Sequence, residues 1–196
     1  MTLAELVQEV YNLTGRPDRV AETLSAVKAA TLKAHQSDFY YKDLKEVAVA
    51  FNSADFIQTL DYKAVLPLWR AVKYFRKYDL STDTPGKVLT LVEPANVFDK
   101  YTLQKQDIYY VAGAYVQINS STQEQYYIIG YYSNPDITQA GYTSWVATDH
   151  PFCIIYDAAA TIFKSIGKDD ESANFRNLYA EQISQLRLSN IQANGY

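Results

Sequence analysis

The chain has 196 residues, of which 48% are hydrophobic and 20% charged, and its formal net charge is −4. This composition is typical of a globular protein with one sizeable core and excludes long-range disorder. The acidic balance argues against nucleic-acid binding through a basic face. One cysteine and two histidines exclude a disulfide framework and a multi-cysteine zinc site. No apolar run reaches the about 18 residues that a membrane span needs, and the first ten residues do not resemble a signal peptide.

The first 37 residues predict a pair of helices. Over residues 2–13, apolar side chains recur at three-and-four spacing, and Thr2 with Glu5 has the pattern of a capping box. Gly15 then ends this helix, and a second helix is predicted over residues 17–36. The short connection predicts an antiparallel hairpin.

Residues 38–148 predict a β-rich region, because the apolar period shifts toward two. The predicted strands are 41–51, 56–62, 69–78, 88–92, 107–118 and 126–132, with the second a candidate partner of the first. The last two are apolar on both faces. Such strands need cover on both sides, either from their own fold or from a neighbouring subunit.

The chain returns to helical patterns over residues 149–190. A wide apolar stripe follows His150 and Pro151 and predicts a helix that Gly167 ends. A last helix follows, and its apolar period fades from Arg187 onward into a polar tail. We therefore predict an α+β fold, an antiparallel helix bundle formed by residues 1–37 and 149–190 with residues 38–148 as a β-rich insertion.

Motifs for nucleotide binding, hydrolysis or metal chemistry do not occur in the sequence. Cys153 lies in the first turn of a predicted helix, where the dipole could lower a thiol pKa, but we interpret it as a buried hydrophobe. We interpret His35 as a structural residue near a helix end and His150 as part of a helix start. The sequence therefore predicts a non-catalytic module without a catalytic, cofactor or metal site.

Basic and aromatic residues alternate over residues 69–78. The basic members are Arg70, Lys73, Arg76 and Lys77, and the aromatic ones are Trp69, Tyr74, Phe75 and Tyr78. This mixture could contact a nucleic acid, and an acidic partner protein fits it better. Strand alternation alone also explains the pattern.

Tyrosine is unusually frequent, with 18 copies. Each buried hydroxyl needs a partner, so this number exceeds what a small core easily hides. The paired tyrosines of the predicted strands therefore have two interpretations, as β-forming core residues or as a subunit interface.

Four segments in order carry a resemblance to a known family. They are MTLAELVQEVYNLTGRPDRVAETLSAVKAATLKAHQSDFYYKDL, LPLWRAVKYFRKYD, the pair DIYYVAGAYVQI and YYIIGYYSNPDI, and YTSWVATDHPFCIIYDAAATIFKSIGKDDESANFRNLYAEQISQL. Together they resemble the head-to-tail adaptor, or connector, proteins of tailed bacteriophages, particularly those of short-tailed phages. The resemblance spans nearly the whole chain and consists of packing patterns rather than catalytic motifs.

The resemblance implies a structural virion protein without enzymatic activity or cofactor. Such adaptors form a ring of about twelve copies that joins the portal protein to the tail nozzle or tail-fibre proteins. Genomic DNA passes through the ring without specific binding, and no membrane is involved. The protein would be made in the cytoplasm of the bacterial host and would reside at the head–tail interface of the virion.

The resemblance also implies two sets of site residues. Residues 187–196 would form an extended C-terminal arm that grips the portal, with Arg187, Leu188, Ile191 and Tyr196 as its contacts. The candidate subunit or tail interface comprises Trp69, Tyr109, Tyr110, Tyr115, Tyr126, Tyr127, Tyr131 and Tyr132.

Two other functions stay open at this point. The first is a carbohydrate-binding or fibre-docking tail module, in which Trp145, Tyr131 and Tyr132 form an aromatic platform. The second, more distant one is a hydrolase that uses Asp149 or His150.

Overall fold

The computed structural model describes residues 1–50, 57–79, 82–98, 103–121, 126–139 and 141–193. Within these ranges the fold is α+β, with six α-helices and two four-stranded sheets. The chain divides into two compact units, a helical unit of Met1–Asp43 with Asn134–Tyr196 and a β unit of Leu44–Ser133. Residues 38–43 and 134–148, which we assigned to the β-rich region, thus belong to the helical unit.

The helices are α1 (Leu3–Thr14), α2 (Val20–Gln36), α3 (Tyr62–Val65), α4 (Trp145–Asp149), α5 (Phe152–Ser165) and α6 (Asp169–Ala193). The strands are β1 (Leu44–Ala50), β2 (Ile57–Asp61), β3 (Trp69–Asp79), β4 (Thr84–Val88), β5 (Thr90–Leu91), β6 (Ile108–Ala112), β7 (Tyr115–Asn119) and β8 (Tyr126–Ser133). None of the helices in the described ranges combines the length and apolar character needed to cross a bilayer.

The start and end of α1 follow the predicted signals. The Thr2 hydroxyl accepts a hydrogen bond from the Glu5 amide, and the Glu5 carboxylate accepts one from the Thr2 amide at 2.7 Å. Gly15 ends the helix in the left-handed region, at φ 64°, where a residue without Cβ is least strained. The capping box and the terminator are therefore confirmed.

The core of the helical unit is built around α5, which packs against α1, α2, α4 and α6. Most of its predicted apolar stripe is buried, including Ile155, Ala159, Ile162 and Phe163, whereas Phe152 at its start is exposed. On α2 the facing residues are small, and Ala26, Ala30 and Ala34 are all buried. Small side chains let the two helix axes approach closely.

Two helical boundaries differ from the prediction. A short helix, α4, is capped by the Ser144 side chain and precedes α5, in residues that we assigned mostly to the β-rich region. The last helix continues through Ala193 instead of fading at Arg187. Leu186 and Asn190 are buried one turn apart, and these tertiary contacts favour helix where the apolar period is weak.

The β unit contains one sheet of order β1-β8-β3-β4 and a second of order β2-β7-β6-β5. All pairs are antiparallel except β5 with β6. Buried residues of both sheets, among them Phe75 and Ile129 from the first and Val116 and Ile118 from the second, form one cluster. The two sheets therefore pack face to face.

Three strand predictions are wrong. The strand at 56–62 does not pair with the one at 41–51, since β2 pairs with β7 and β1 with β8. The segment 107–118 is a hairpin of β6 and β7, with Gly113 at φ 65° in its turn. Residues 88–92 are divided between β4 and β5, which lie in different sheets.

Candidate functional site

A buried polar network lies in the helical unit. It joins α2 to residues that precede and follow the β unit in the sequence. His35 Nδ1 is 2.7 Å from Asp43 Oδ1, and His35 Nε2 is 2.8 Å from Ser144 Oγ. The Trp145 indole N–H donates to the same Asp43 oxygen at 2.7 Å. His35 is only 2% exposed and Asp43 only 4%. Sequence analysis missed this network, because its members lie up to 110 positions apart and share no local pattern.

This network has the order Asp–His–Ser of an acyl-transfer triad, but its surroundings favour a structural role. A nucleophilic serine needs access to substrate and a free path for its proton. The Ser144 hydroxyl instead accepts the Ala147 N–H at 3.3 Å as the cap of α4, and the residue is 8% exposed. The His35 ring packs edge-on against Trp145, with ring centroids 5.4 Å apart. The network fastens residues 41–43 and the start of α4 to α2.

The cleft beside Ser144 offers little chemistry. It has a volume of about 470 Å³ and is lined by residues 1–5, 141–144 and 148. Its acidic side chain, Glu5, is engaged in the capping box of α1. In the part of the chain that the structure describes, no group of three or more metal-ligating side chains comes together.

The residues of the hydrolase hypothesis are also placed by the structure. The Asp149 carboxylate accepts a hydrogen bond from the Lys42 ammonium at 2.6 Å, in a partly exposed ion pair. His150 follows it between α4 and α5. Asp149 is thus held as the partner of a surface cation.

Cys153 is buried in the core of the helical unit. Burial raises the pKa of its thiol to about 11, so the reactive thiolate is disfavoured at neutral pH. Its interpretation as a small buried hydrophobe is confirmed.

The end of α6 carries the residues assigned to the portal-binding arm. Arg187 donates to the Ser37 carbonyl at 2.8 Å, and the Asn190 side chain bonds the backbone of Phe39 and Tyr41, each at 3.3 Å. Arg187, Leu188 and Ile191 therefore lie on a docked helix rather than on an extended segment. Tyr196 lies outside the described residues.

Four large apolar side chains are exposed at this end of α6. They are Leu188 (57%), Ile191 (48%), Phe39 (53%) and Tyr41 (44%), and we call them the α6-end patch. Isolated exposed apolar residues are common, but a group of four marks a candidate interaction surface.

The predicted interface tyrosines divide into two groups. Tyr109, Tyr127 and Tyr131 are buried in the core cluster of the β unit, which is a correction to their assignment as interface residues. Burial raises the pKa of the Tyr109 and Tyr131 hydroxyls, as expected for core phenols. The remaining members are half-buried or exposed, namely Trp69, Tyr110, Tyr115, Tyr126 and Tyr132.

Alternation along β8 explains this division. Tyr127, Ile129 and Tyr131 point toward the core, whereas Tyr126 and Tyr132 lie on the other face. Trp69 packs against the core cluster, and its ring centroid lies 4.1 Å from that of Tyr62. The sequence shows the period of two. It does not show which of the two apolar faces packs into the core.

Of the three residues of the proposed aromatic platform, one is buried and two are half-buried. Tyr131 belongs to the core of the β unit. Trp145 is surrounded within the helical unit by His35, Tyr40 and the Lys42 ammonium, which lies 5.3 Å from its ring. Trp145 and Tyr132 are both half-buried, and both have cations over their rings.

No protein-family model matches the chain, and no curated protein is significantly similar to it in sequence. The resemblance to adaptor proteins therefore depends on the sequence features described above.

Proposed function

We propose that the protein is a structural subunit of the head-to-tail adaptor of a tailed bacteriophage. In this proposal the N- and C-terminal helix pairs form an antiparallel bundle, and the β unit is an insertion between them. The order of sequence features along the chain supports the assignment. The α6-end patch is the structural observation that carries it.

The α6-end patch fits an assembly contact on energetic grounds. Burying a large aliphatic or aromatic side chain contributes about 1.5–3 kcal/mol relative to leaving it exposed. Leu188 and Ile191 are one turn apart on a helix that the Asn190 side chain anchors to the backbone of Phe39 and Tyr41. Because the patch is held by these bonds, it is ordered before a partner arrives, which lowers the entropic cost of binding.

In the proposed assembly, about twelve subunits form a closed ring between the portal protein and the tail nozzle or tail-fibre proteins. Four tyrosines of the β unit that are half-buried or exposed serve subunit or tail contacts, namely Tyr110, Tyr115, Tyr126 and Tyr132. Genomic DNA passes through the lumen, where repeated net negative charge favours sliding over adhesion. The protein is a component of the virion neck with no enzymatic activity, cofactor or membrane association.

The first test replaces the two exposed aliphatic residues of α6 by serine. We expect Leu188→Ser/Ile191→Ser to reduce binding to portal rings of the same phage at least about tenfold, since both side chains would be buried in the contact. Leu178→Ser is the matched control, because Leu178 is also exposed on α6, at 40%, but lies away from the patch. Native mass spectrometry of portal rings mixed with each variant gives the number of added copies.

The outcomes separate the assignment from the contact. Wild-type chain that adds no mass to the portal rings would overturn the adaptor proposal. Binding by the double variant at the wild-type level would keep the adaptor assignment and remove the α6-end patch from the portal contact.

A carbohydrate-binding or fibre-docking module is less well supported as the function. It needs several open ring faces, but Tyr131 is a core residue, and the half-buried Trp145 and Tyr132 have cations over their rings.

A further inference from the structure

The side of the first sheet opposite its core carries basic and aromatic side chains from neighbouring strands. Tyr132 of β8 lies on this side, and Ala71 and Tyr74 of β3 pair with Tyr132 and Gly130. We call the group of Arg70, Lys73, Tyr74, Arg76 and Tyr132 the cationic face.

Tyr74 is held firmly on this face. A Cβ built on Gly130 would lie 2.5 Å from two atoms of the Tyr74 ring, so the ring rests directly on the glycine backbone. Its hydroxyl donates a hydrogen bond to Glu46 on β1. The Arg76 guanidinium lies over the ring, 5.4 Å from its centroid. The tyrosine thereby fixes the position of a guanidinium group.

Tyr132 positions two more cations in the same way. The Arg70 guanidinium carbon and the Lys73 ammonium lie 5.7 and 5.8 Å from its ring centroid. Cation–π contacts of this kind favour a defined placement of flexible basic side chains. Two positive charges therefore converge on one ring of an otherwise acidic protein.

Lys73 and Arg76 form no ion pair with the carboxylates of the described residues. Among the described residues, neither has a carboxylate oxygen within 4.0 Å. Lys77, on the opposite side of the same strand, is by contrast neutralised by Asp107 at 2.7 Å. Glu46 of β1, which pairs with Gly130, accepts the hydrogen bond of the Tyr74 hydroxyl.

We propose that the cationic face binds a carboxylate-bearing segment of a partner protein. A guanidinium fork recognises a carboxylate through two parallel hydrogen bonds, and its placement over Tyr74 lowers the cost of ordering it. Nucleic acid fits less well, because cations lie over the rings on which bases would stack. This inference goes beyond the adaptor proposal and does not depend on the portal contact.

The test measures the affinity of a fluorescein-labelled polyglutamate peptide by fluorescence anisotropy at low salt. We expect Lys73→Gln/Arg76→Gln to weaken binding at least about tenfold, since two charge-assisted hydrogen bonds are lost. The control Lys45→Gln/Lys63→Gln removes the same charge from exposed positions, on β1 with the opposite alternation and on α3, and should bind as wild type does. Circular dichroism verifies that each variant is folded, and Arg76→Lys tests the guanidinium fork on its own.

Each outcome decides the proposal. A loss of peptide binding that is confined to Lys73→Gln/Arg76→Gln supports the proposal. Weaker peptide binding by Arg76→Lys supports recognition through the guanidinium fork. Equal loss in both double variants indicates diffuse charge attraction and overturns it, as does the absence of binding by the wild-type chain. Tighter binding of a single-stranded oligothymidylate of equal length would overturn it in favour of nucleic acid. None of these measurements uses portal rings, so their failure is distinct from failure of the adaptor proposal.

Discussion

Replacing Asp43 by alanine is expected to lower the free energy of unfolding of the helical unit by about 3 kcal/mol. The Asp43 carboxylate accepts hydrogen bonds from His35 and Trp145 in a site where all three residues are largely shielded from water. Its removal takes away the acceptor that these two side chains share. Asp43→Asn should lose less stability, because the asparagine side chain has nearly the same shape and keeps one acceptor oxygen.

Tryptophan fluorescence measures this effect cleanly. The chain has two tryptophans, so a Trp69→Phe background leaves Trp145, which contacts Asp43 directly, as the reporter of urea unfolding. Asp149→Ala is the matched control, since Asp149 forms a partly exposed pair with Lys42 that contributes little to stability. If the two variants lose equal stability, the network does not anchor the helical unit.

Replacing Asp107 by asparagine is expected to destabilise the β unit by about 3 kcal/mol. The Asp107 carboxylate binds Lys77 at 2.7 Å and also accepts bonds from Ser121 and Lys87. The Lys77 side chain is 8% exposed, so neutralising Asp107 removes a negative charge 2.7 Å from a nearly buried ammonium. Asn keeps the side-chain shape and tolerates the left-handed backbone at this position, φ 57°, which isolates the effect of charge.

Hydrogen exchange followed by mass spectrometry measures this loss in peptides that span β8, the strand between β1 and β3. Asp83→Asn is the matched control, because Asp83 also has a left-handed backbone but is exposed and bonds Tyr78 at the surface. We expect its exchange rates to match those of the wild type. Unchanged protection in Asp107→Asn would show that the Lys77–Asp107 pair is not a net stabiliser.

The same carboxylate predicts a loss of stability in acid. Burial would raise the pKa of Asp107, but the hydrogen bonds from Lys77, Ser121 and Lys87 outweigh it and hold the pKa well below its usual range. A carboxyl whose pKa is depressed on folding contributes stability that is fully present above its unfolded pKa, about 3.9, and is lost as the pH falls further toward the folded value. Protection of β8 should thus decline below about pH 4 in the wild type and decline less in Asp107→Asn.

Local signals were read correctly where neighbouring residues decide the structure. The capping box of Thr2 and Glu5 and the terminator Gly15 bound α1 as predicted, because the donors and acceptors involved are at most four residues apart. The apolar stripe of α5 was equally legible, since one helix face collects it.

The sequence did not predict which distant strands pair with each other. The sequence contains several apolar strands of similar length, so the choice of β7 for β2 and β8 for β1 depends on the whole arrangement. The hairpin at Gly113 was missed because Gly-Ala between apolar residues resembles a continuous strand. The cationic face was seen only as an alternating pattern, because its geometry requires Gly130 and Tyr132 from another strand.

By itself, the sequence determined the α+β class, the ends of α1, the buried stripe of α5 and the position of β8, because each depends on contacts between residues close in the chain. Only the tertiary structure decided that His35, Asp43, Ser144 and Trp145 meet, that Tyr109, Tyr127 and Tyr131 are core, and that α6 continues to Ala193. Each of these outcomes is set by a partner far away in sequence. The free energy that fixes them comes from burial and hydrogen bonds that form only when the chain is folded.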